Sequence, residues 1–86
     1  MYSLKISYFA WVREHMGTGG EDVLVPAHVA SIGALIDWLA ARDAAGAVAF
    51  AEPARIRAAV DGNMVGHEAP LAGIREVALF PPVTGG

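Results

Sequence analysis

Only one segment of this chain repeats its apolar residues at the helical period, and it is flanked on both sides by segments that alternate. Ile32, Leu35, Ile36 and Leu39 stand at i, i+3, i+4 and i+7 and form one apolar stripe. Ser31 is placed to cap that helix, its hydroxyl accepting from amides that have no intrahelical partner. Arg42 suits the negative C-terminal pole, Gly46 is the expected stop, and Trp38 flanks the stripe as a packing residue. One main helix can cover one face of a small sheet and no more. The strands must therefore share a single sheet that uses this helix as its lid.

The alternating segments supply the sheet. Leu4, Ile6 and Tyr8 alternate with Lys5, Ser7 and Phe9 in a first strand, and Phe9 and Trp11 add aromatic bulk on its second face. Val12 to Met16 reads as a single helical turn and Gly17-Thr18-Gly19-Gly20 as a flexible loop. Glu21 to Val25 is a second strand with a solvated Glu21-Asp22 start, closed by Pro26. Ala47 to Ala54 reads as a connection with room for a helical turn. Ile56, Ala58 and Val60 mark a third strand, with Arg55 and Arg57 together on one face, read as a solvated face in preference to an anion or partner contact. Asp61-Gly62-Asn63 suits the positive φ angles of a tight hairpin, and Met64-Val65 begins the return. His67 to Gly73 is loop. In the last strand, Glu76 to Phe80, Val77 and Leu79 share one face and Ala78 and Phe80 the other. Pro81-Pro82 ends pairing, because neither donates a ladder hydrogen bond. A right-handed crossover lays the last strand parallel to the first. The expected fold is α+β: a β-grasp (ubiquitin-like) arrangement, a small mixed sheet with one main helix on one face. Residues 1–80 form its domain and residues 81–86 a flexible Gly-Gly tail.

Composition narrows the function. At 55 % apolar residues, 86 residues can hold a modest core without a disulfide staple. Cysteine is absent, which excludes a thiolate zinc site and a cysteine nucleophile in this chain. The net charge is −3 and no basic run exceeds one residue, which argues against nucleic acid as a partner. There is no apolar stretch of membrane-spanning length and no signal-peptide core, so a cytoplasmic protein without a membrane partner is expected. The glycine-rich loop lacks the Lys-Ser/Thr of a phosphate-binding loop. His15, His28 and His67 lack metal-ligand spacing, so neither a metal nor a bound cofactor is expected.

The chemistry-bearing pattern lies at the end: Phe80-Pro81-Pro82-Val83-Thr84-Gly85-Gly86. The last strand roots this tail and the prolines stiffen its exit. Six residues reach about 20 Å when extended. Without side chains, Gly85 and Gly86 can thread a narrow channel. A terminal carboxylate on Gly86 is a poor electrophile. Adenylation would convert it to an acyl phosphate anhydride open to a sulfur or nitrogen nucleophile. This chain has no nucleotide site, so a partner must bring the ATP.

Two runs carry a resemblance across almost the whole chain: Tyr8-Phe9-Ala10-Trp11-Val12-Arg13-Glu14 and Glu76 through Gly86, ending Phe-Pro-Pro-Val-Thr-Gly-Gly. With these runs the chain resembles the small, sulfur-carrying subunits of molybdopterin synthase, the MoaD or molybdopterin-converting factor subunit 1 family. Ala72-Gly73-Ile74-Arg75 departs from the acidic Gly-Asp step common there. The resemblance implies that a ubiquitin-activating-type adenylyltransferase, using ATP and magnesium, activates Gly86, and that a sulfur donor system converts it to a thiocarboxylate. It further implies that the tail, Pro81 to Gly85, inserts into the large synthase subunit of a heterotetramer. There the sulfur passes to cyclic pyranopterin monophosphate in molybdenum cofactor biosynthesis. A ubiquitin-like protein modifier and a sulfur carrier for another pathway, such as thiamine synthesis, are the competing readings. The strand pattern also places Phe9 and Phe80 on the sheet face away from the helix, extended by Met64. The alternatives for this patch are docking of a partner and cover by the Ala47–Ala54 connection; the resemblance implies docking.

Overall fold

The computed structural model describes residues 1–82. Nine short elements build it: β1 (Tyr2–Tyr8), α1 (Ala10–Met16), β2 (Gly20–Val25), α2 (Ile32–Arg42), α3 (Ala44–Ala49), a 3₁₀ turn (Pro53–Arg55), β3 (Arg57–Val60), β4 (Asn63–Val65) and β5 (Glu76–Phe80). The strands form one sheet in the order β2-β1-β5-β3-β4. β5 lies at its centre, parallel to β1 and antiparallel to β3. The two hairpins, β1/β2 and β3/β4, flank this pair. The mixed sheet, lidded on one face by helices, is the expected β-grasp.

Alternation decides which residues enter the core. Leu4, Ile6 and Tyr8 of β1, Val23 and Val25 of β2, Ala58 and Val60 of β3, and Val77 and Leu79 of β5 all point to the helix side and are buried. The α2 stripe Ile32, Leu35, Ile36 and Leu39 meets them, each fully buried. The Ser31 hydroxyl accepts from the Ala34 amide at 3.1 Å, as the cap requires. In the β3–β4 turn Asp61 and Gly62 both have positive φ, +49° and +86°, as a two-residue hairpin demands.

The structure corrects several local expectations. Gly46 does not stop α2. That helix ends at Arg42, where extended Asp43 breaks it and caps α3, its carboxylate accepting from the Gly46 amide at 2.8 Å. Gly46 lies inside α3, where a Cβ would collide with the Leu39 carbonyl oxygen. The Ala47–Ala54 connection is thus largely helical. It carries Ala49 and Phe50 into the core, where Phe50 packs against Tyr8 with ring centroids 6.3 Å apart. The single turn expected at Val12 to Met16 is a longer helix beginning at Ala10, and Gly20 already belongs to β2. Trp11 consequently leaves the sheet and stands on α1, its ring 6.0 Å from that of His15. Arg55 and Arg57 do not share a strand face. Arg55 sits in the 3₁₀ turn with its guanidinium 5.8 Å from the Trp11 ring, whereas Arg57 lies on β3.

Glu21 is no solvated strand start. Its carboxylate accepts from the Tyr8 hydroxyl at 2.8 Å and from both Arg42 Nη atoms at 3.0 and 2.8 Å. Arg42 therefore ties the end of α2 to the β2 edge and does not merely answer the helix dipole. Its hydrogen bonds hold Glu21 below the usual carboxylate range against the opposing effect of burial. Burial and the neighbouring carboxylate push the Tyr8 hydroxyl well above its ordinary value.

Candidate functional site

The ladder registers place the outward residues in three rows across the face that no helix covers. Each row is set by side chains that alternate with the buried ones. The first row, at the end where β5 exits the sheet, holds Phe9, Phe80 and Arg57. Arg57 is registered with Phe80. Phe9 continues the β1 ladder through its amide, which donates to the Leu79 carbonyl at 3.2 Å. The second row reads Gly20, Ser7, Ala78, Ala59 and Met64. The third reads Asp22, Lys5 and Glu76, with Asp61 at the turn beyond β3.

Small side chains in the second row leave a shallow groove. Ser7, Ala59 and Ala78 form its floor, Phe9 stands at one end, and Asp61 and Glu76 stand at the other. Phe9 is 51 % and Met64 62 % exposed, whereas Phe80 is half-buried. Phe9, Met64 and Phe80 thus lie on one open face. α3 packs against α1 and α2 on the opposite side of the sheet, so the Ala47–Ala54 segment does not cover them. From the sequence Arg57 is read as a solvated strand residue, with an anion or partner contact as the alternative, and Ser7, Ala59 and Ala78 are not named as part of this surface. The period-2 alternation that singled out Phe80 also assigns Ala78 to it. Leu24 is 62 % exposed on the same face but lies at the β2 edge beyond the charged row, registered with Ser3.

Pro81 and Pro82, both half-buried, carry the chain away from this first row. The remaining tail positions, Val83, Thr84, Gly85 and Gly86, lie outside the described residues. Among the described residues no three His, Cys, Asp or Glu side chains gather as a metal site. His67 is engaged structurally, its Nε2 2.7 Å from the Ile56 carbonyl oxygen. Among the described residues no helix is long and apolar enough to cross a membrane. The described surface therefore offers an open sheet face with exposed Phe9 and Met64 beside the end of β5. An apolar groove floored by alanine and serine carries no nucleophile–base pair.

The comparisons agree with this geometry. The ThiS family model matches residues 6–86. The molybdopterin synthase sulfur carrier subunit of Escherichia coli (strain K12) is 40 % identical over 83 residues, spanning 96 % of this chain and 99 % of that protein. Among solved structures, SAMP1 from Haloferax volcanii superposes with a TM-score of 0.71 at 26 % identity, covering 99 % of this chain and all of that one. A Pyrococcus furiosus chain assigned as molybdopterin converting factor, subunit 1, gives 0.72 at 25 % identity, covering 96 % and 100 %. A sheet closed by one helix layer, an open aromatic face beside the exit of its central strand, and near full-length similarity to a sulfur carrier lead to one assignment: the chain belongs to the ThiS family, among the molybdopterin synthase sulfur carrier subunits.

Proposed function

We propose that Gly86 is the sulfur-bearing residue and that this chain donates sulfur to cyclic pyranopterin monophosphate within molybdopterin synthase. The observation that carries the reading is the placement of β5. The strand preceding Phe80-Pro81-Pro82-Val83-Thr84-Gly85-Gly86 is the central strand of the sheet, bonded on both sides, so the tail has a rigid root beside an open docking face.

The chemistry follows from the carboxylate. One oxygen of the Gly86 carboxylate attacks the α-phosphorus of ATP held with magnesium by an adenylyltransferase partner, and pyrophosphate leaves. A sulfide-level sulfur delivered by a sulfur donor system then attacks the acyl carbon, AMP departs with the bonding pair, the proton is lost to solvent, and a thiocarboxylate remains. Pro81 to Gly85 lead that group into the large synthase subunit, where the sulfur passes to the precursor. This chain's share is presentation: Phe9, Met64 and Phe80 dock the partner, the prolines direct the exit, and the glycines permit close passage. ATP and magnesium belong to the activating partner, and the cytoplasm is the compartment that fits. Residues 1–80 are the docking domain and 81–86 the working tail.

Mass spectrometry after incubation with the adenylyltransferase, ATP, magnesium and a sulfur source tests the reading. It should show one oxygen replaced by sulfur at Gly86, and deletion of Gly86 should abolish the change while the thermal transition stays in place. Replacement at another residue, with Gly86 untouched, overturns the assignment. The likeness to SAMP1 and the ThiS family match support a second reading, as a protein modifier or as a carrier for another sulfur pathway. Isopeptide products with lysines of other proteins, in place of sulfur transfer to the precursor, would favour the modifier. Sulfur transfer from Gly86 to a thiamine precursor would favour the other pathway.

A further inference from the structure

The open face is polarised along the strands. Its first row contributes one cation, Arg57. The third row carries three acids, Asp22, Glu76 and Asp61, against the single cation Lys5. Four residue steps lead from Arg57 at the start of β3 to Asp61 at the turn beyond it, about 13 Å at roughly 3.3 Å per residue. Between them runs the apolar floor of Ser7, Ala59 and Ala78.

Arg57 differs from its neighbours among the arginines. Arg42 is committed to Glu21 and Asp43, and Arg55 is stacked on Trp11 in a cleft between α1 and α3. Arg57 is exposed on the open face, registered with Phe80. One Nη donates to the Ala54 carbonyl at 3.0 Å, which orients the guanidinium. Among the described residues no carboxylate lies within ion-pairing distance of it. A guanidinium held by one backbone bond keeps its other donors in the fork geometry that matches a carboxylate.

We propose that this face reads its partner by charge direction. Arg57 takes a carboxylate at the tail end, Ser7, Ala59 and Ala78 take an apolar side chain, and Asp61 with Glu76 takes a lysine or arginine about 13 Å away. The partner is a protein surface with those three features in that order. The order aligns it so that its pocket faces the exit of β5 and not the far end of the groove. The inference rests on the proposed role of the face in docking the large synthase subunit.

Stopped-flow association with the large subunit tests it, at low and moderate salt. Arg57→Glu should slow association about tenfold at low salt and flatten the salt dependence, because charges at an interface rim act chiefly on the encounter rate. Arg55→Glu changes the net charge equally but lies outside the groove, and should leave the rate within about twofold. Asp61→Asn keeps a residue that tolerates positive φ and should slow association about two- to threefold. Phe80→Ala reports on the face itself by speeding dissociation. Loss of binding in Phe80→Ala with equal rates for Arg57→Glu and Arg55→Glu overturns the charge reading while leaving docking intact. Unchanged binding in Phe80→Ala and in Arg57→Glu overturns both. Circular dichroism of each variant confirms the fold.

Discussion

Cutting the tie between Glu21 and Arg42 should destabilise the chain by an amount that the geometry sets between two limits. The two side chains are 27 % and 26 % exposed, and the pair is bidentate, with the Tyr8 hydroxyl as a third ligand. Fully exposed pairs contribute about 0–1 kcal/mol. Hydrogen bonds to charged groups contribute roughly 1.5–3 kcal/mol where water is excluded. A three-quarters buried, bidentate pair falls between these limits, so a coupling energy of about 1.5 kcal/mol is expected from the Glu21→Ala and Arg42→Ala double-mutant cycle. For a domain of this size that corresponds to roughly 6–12 °C in Tm. Urea denaturation followed by circular dichroism measures it. The pH dependence has a definite sign. Glu21 is held below its unfolded value, so its contribution is complete above about pH 4.3 and is lost as pH falls through the folded value. Glu21→Gln should therefore show a shallower acid limb than the native chain. A coupling below about 0.3 kcal/mol, or an unchanged acid limb, would show that β2 and α2 are joined by apolar packing alone and refute the argument.

Other perturbations separate core from surface. Phe50→Ala should cost about 3–5 kcal/mol, a large share of the stability of so small a domain, seen as a collapsed urea midpoint. Gly46→Ala should cost at least 1–3 kcal/mol, roughly the range for an overpacked contact, because its methyl meets the Leu39 carbonyl; an unchanged Tm would contradict that contact. Phe80→Ala should weaken binding of the large subunit by roughly 1–4 kcal/mol in titration calorimetry with the fold retained. Lys5 is the only lysine of the chain and lies in the third row of the open face. Lysine acetylation mapped by mass spectrometry should reach it in the free chain and be suppressed by the docked partner. Gly85→Trp should block thiocarboxylation by steric exclusion without moving the thermal transition, and a normal rate would reject the narrow-channel argument.

What could be read before the structure follows from patterns that lie within one element. Period-2 alternation in Leu4-Ile6-Tyr8 and Val77-Leu79 already assigned the buried face of both central strands. The 3.6-residue stripe of α2 with its Ser31 cap, and the Asp61-Gly62 turn, are likewise local, because each depends on the backbone geometry of a few adjacent residues. The tail motif and the family were legible in the residues of the two terminal runs. The misread positions are those whose role depends on a neighbour distant in sequence. Glu21 looks like a solvent-facing strand residue until Tyr8 and the end of α2 are brought to it. Gly46 looks like a stop signal until the close approach of α3 to the Leu39 carbonyl gives it a packing reason to lack a side chain. Arg55 and Arg57 share a parity in sequence, but the 3₁₀ turn breaks the strand between them and sends one to Trp11 and the other to the open face. Local conformational preference operates over a few residues, so the chain alone determined its elements, their faces and its tail. The helical Ala44–Ala49 segment, the tie between Glu21 and Arg42 and the charge rows across the open face arise when segments far apart in sequence are packed at contact distance, and only the tertiary structure decided them.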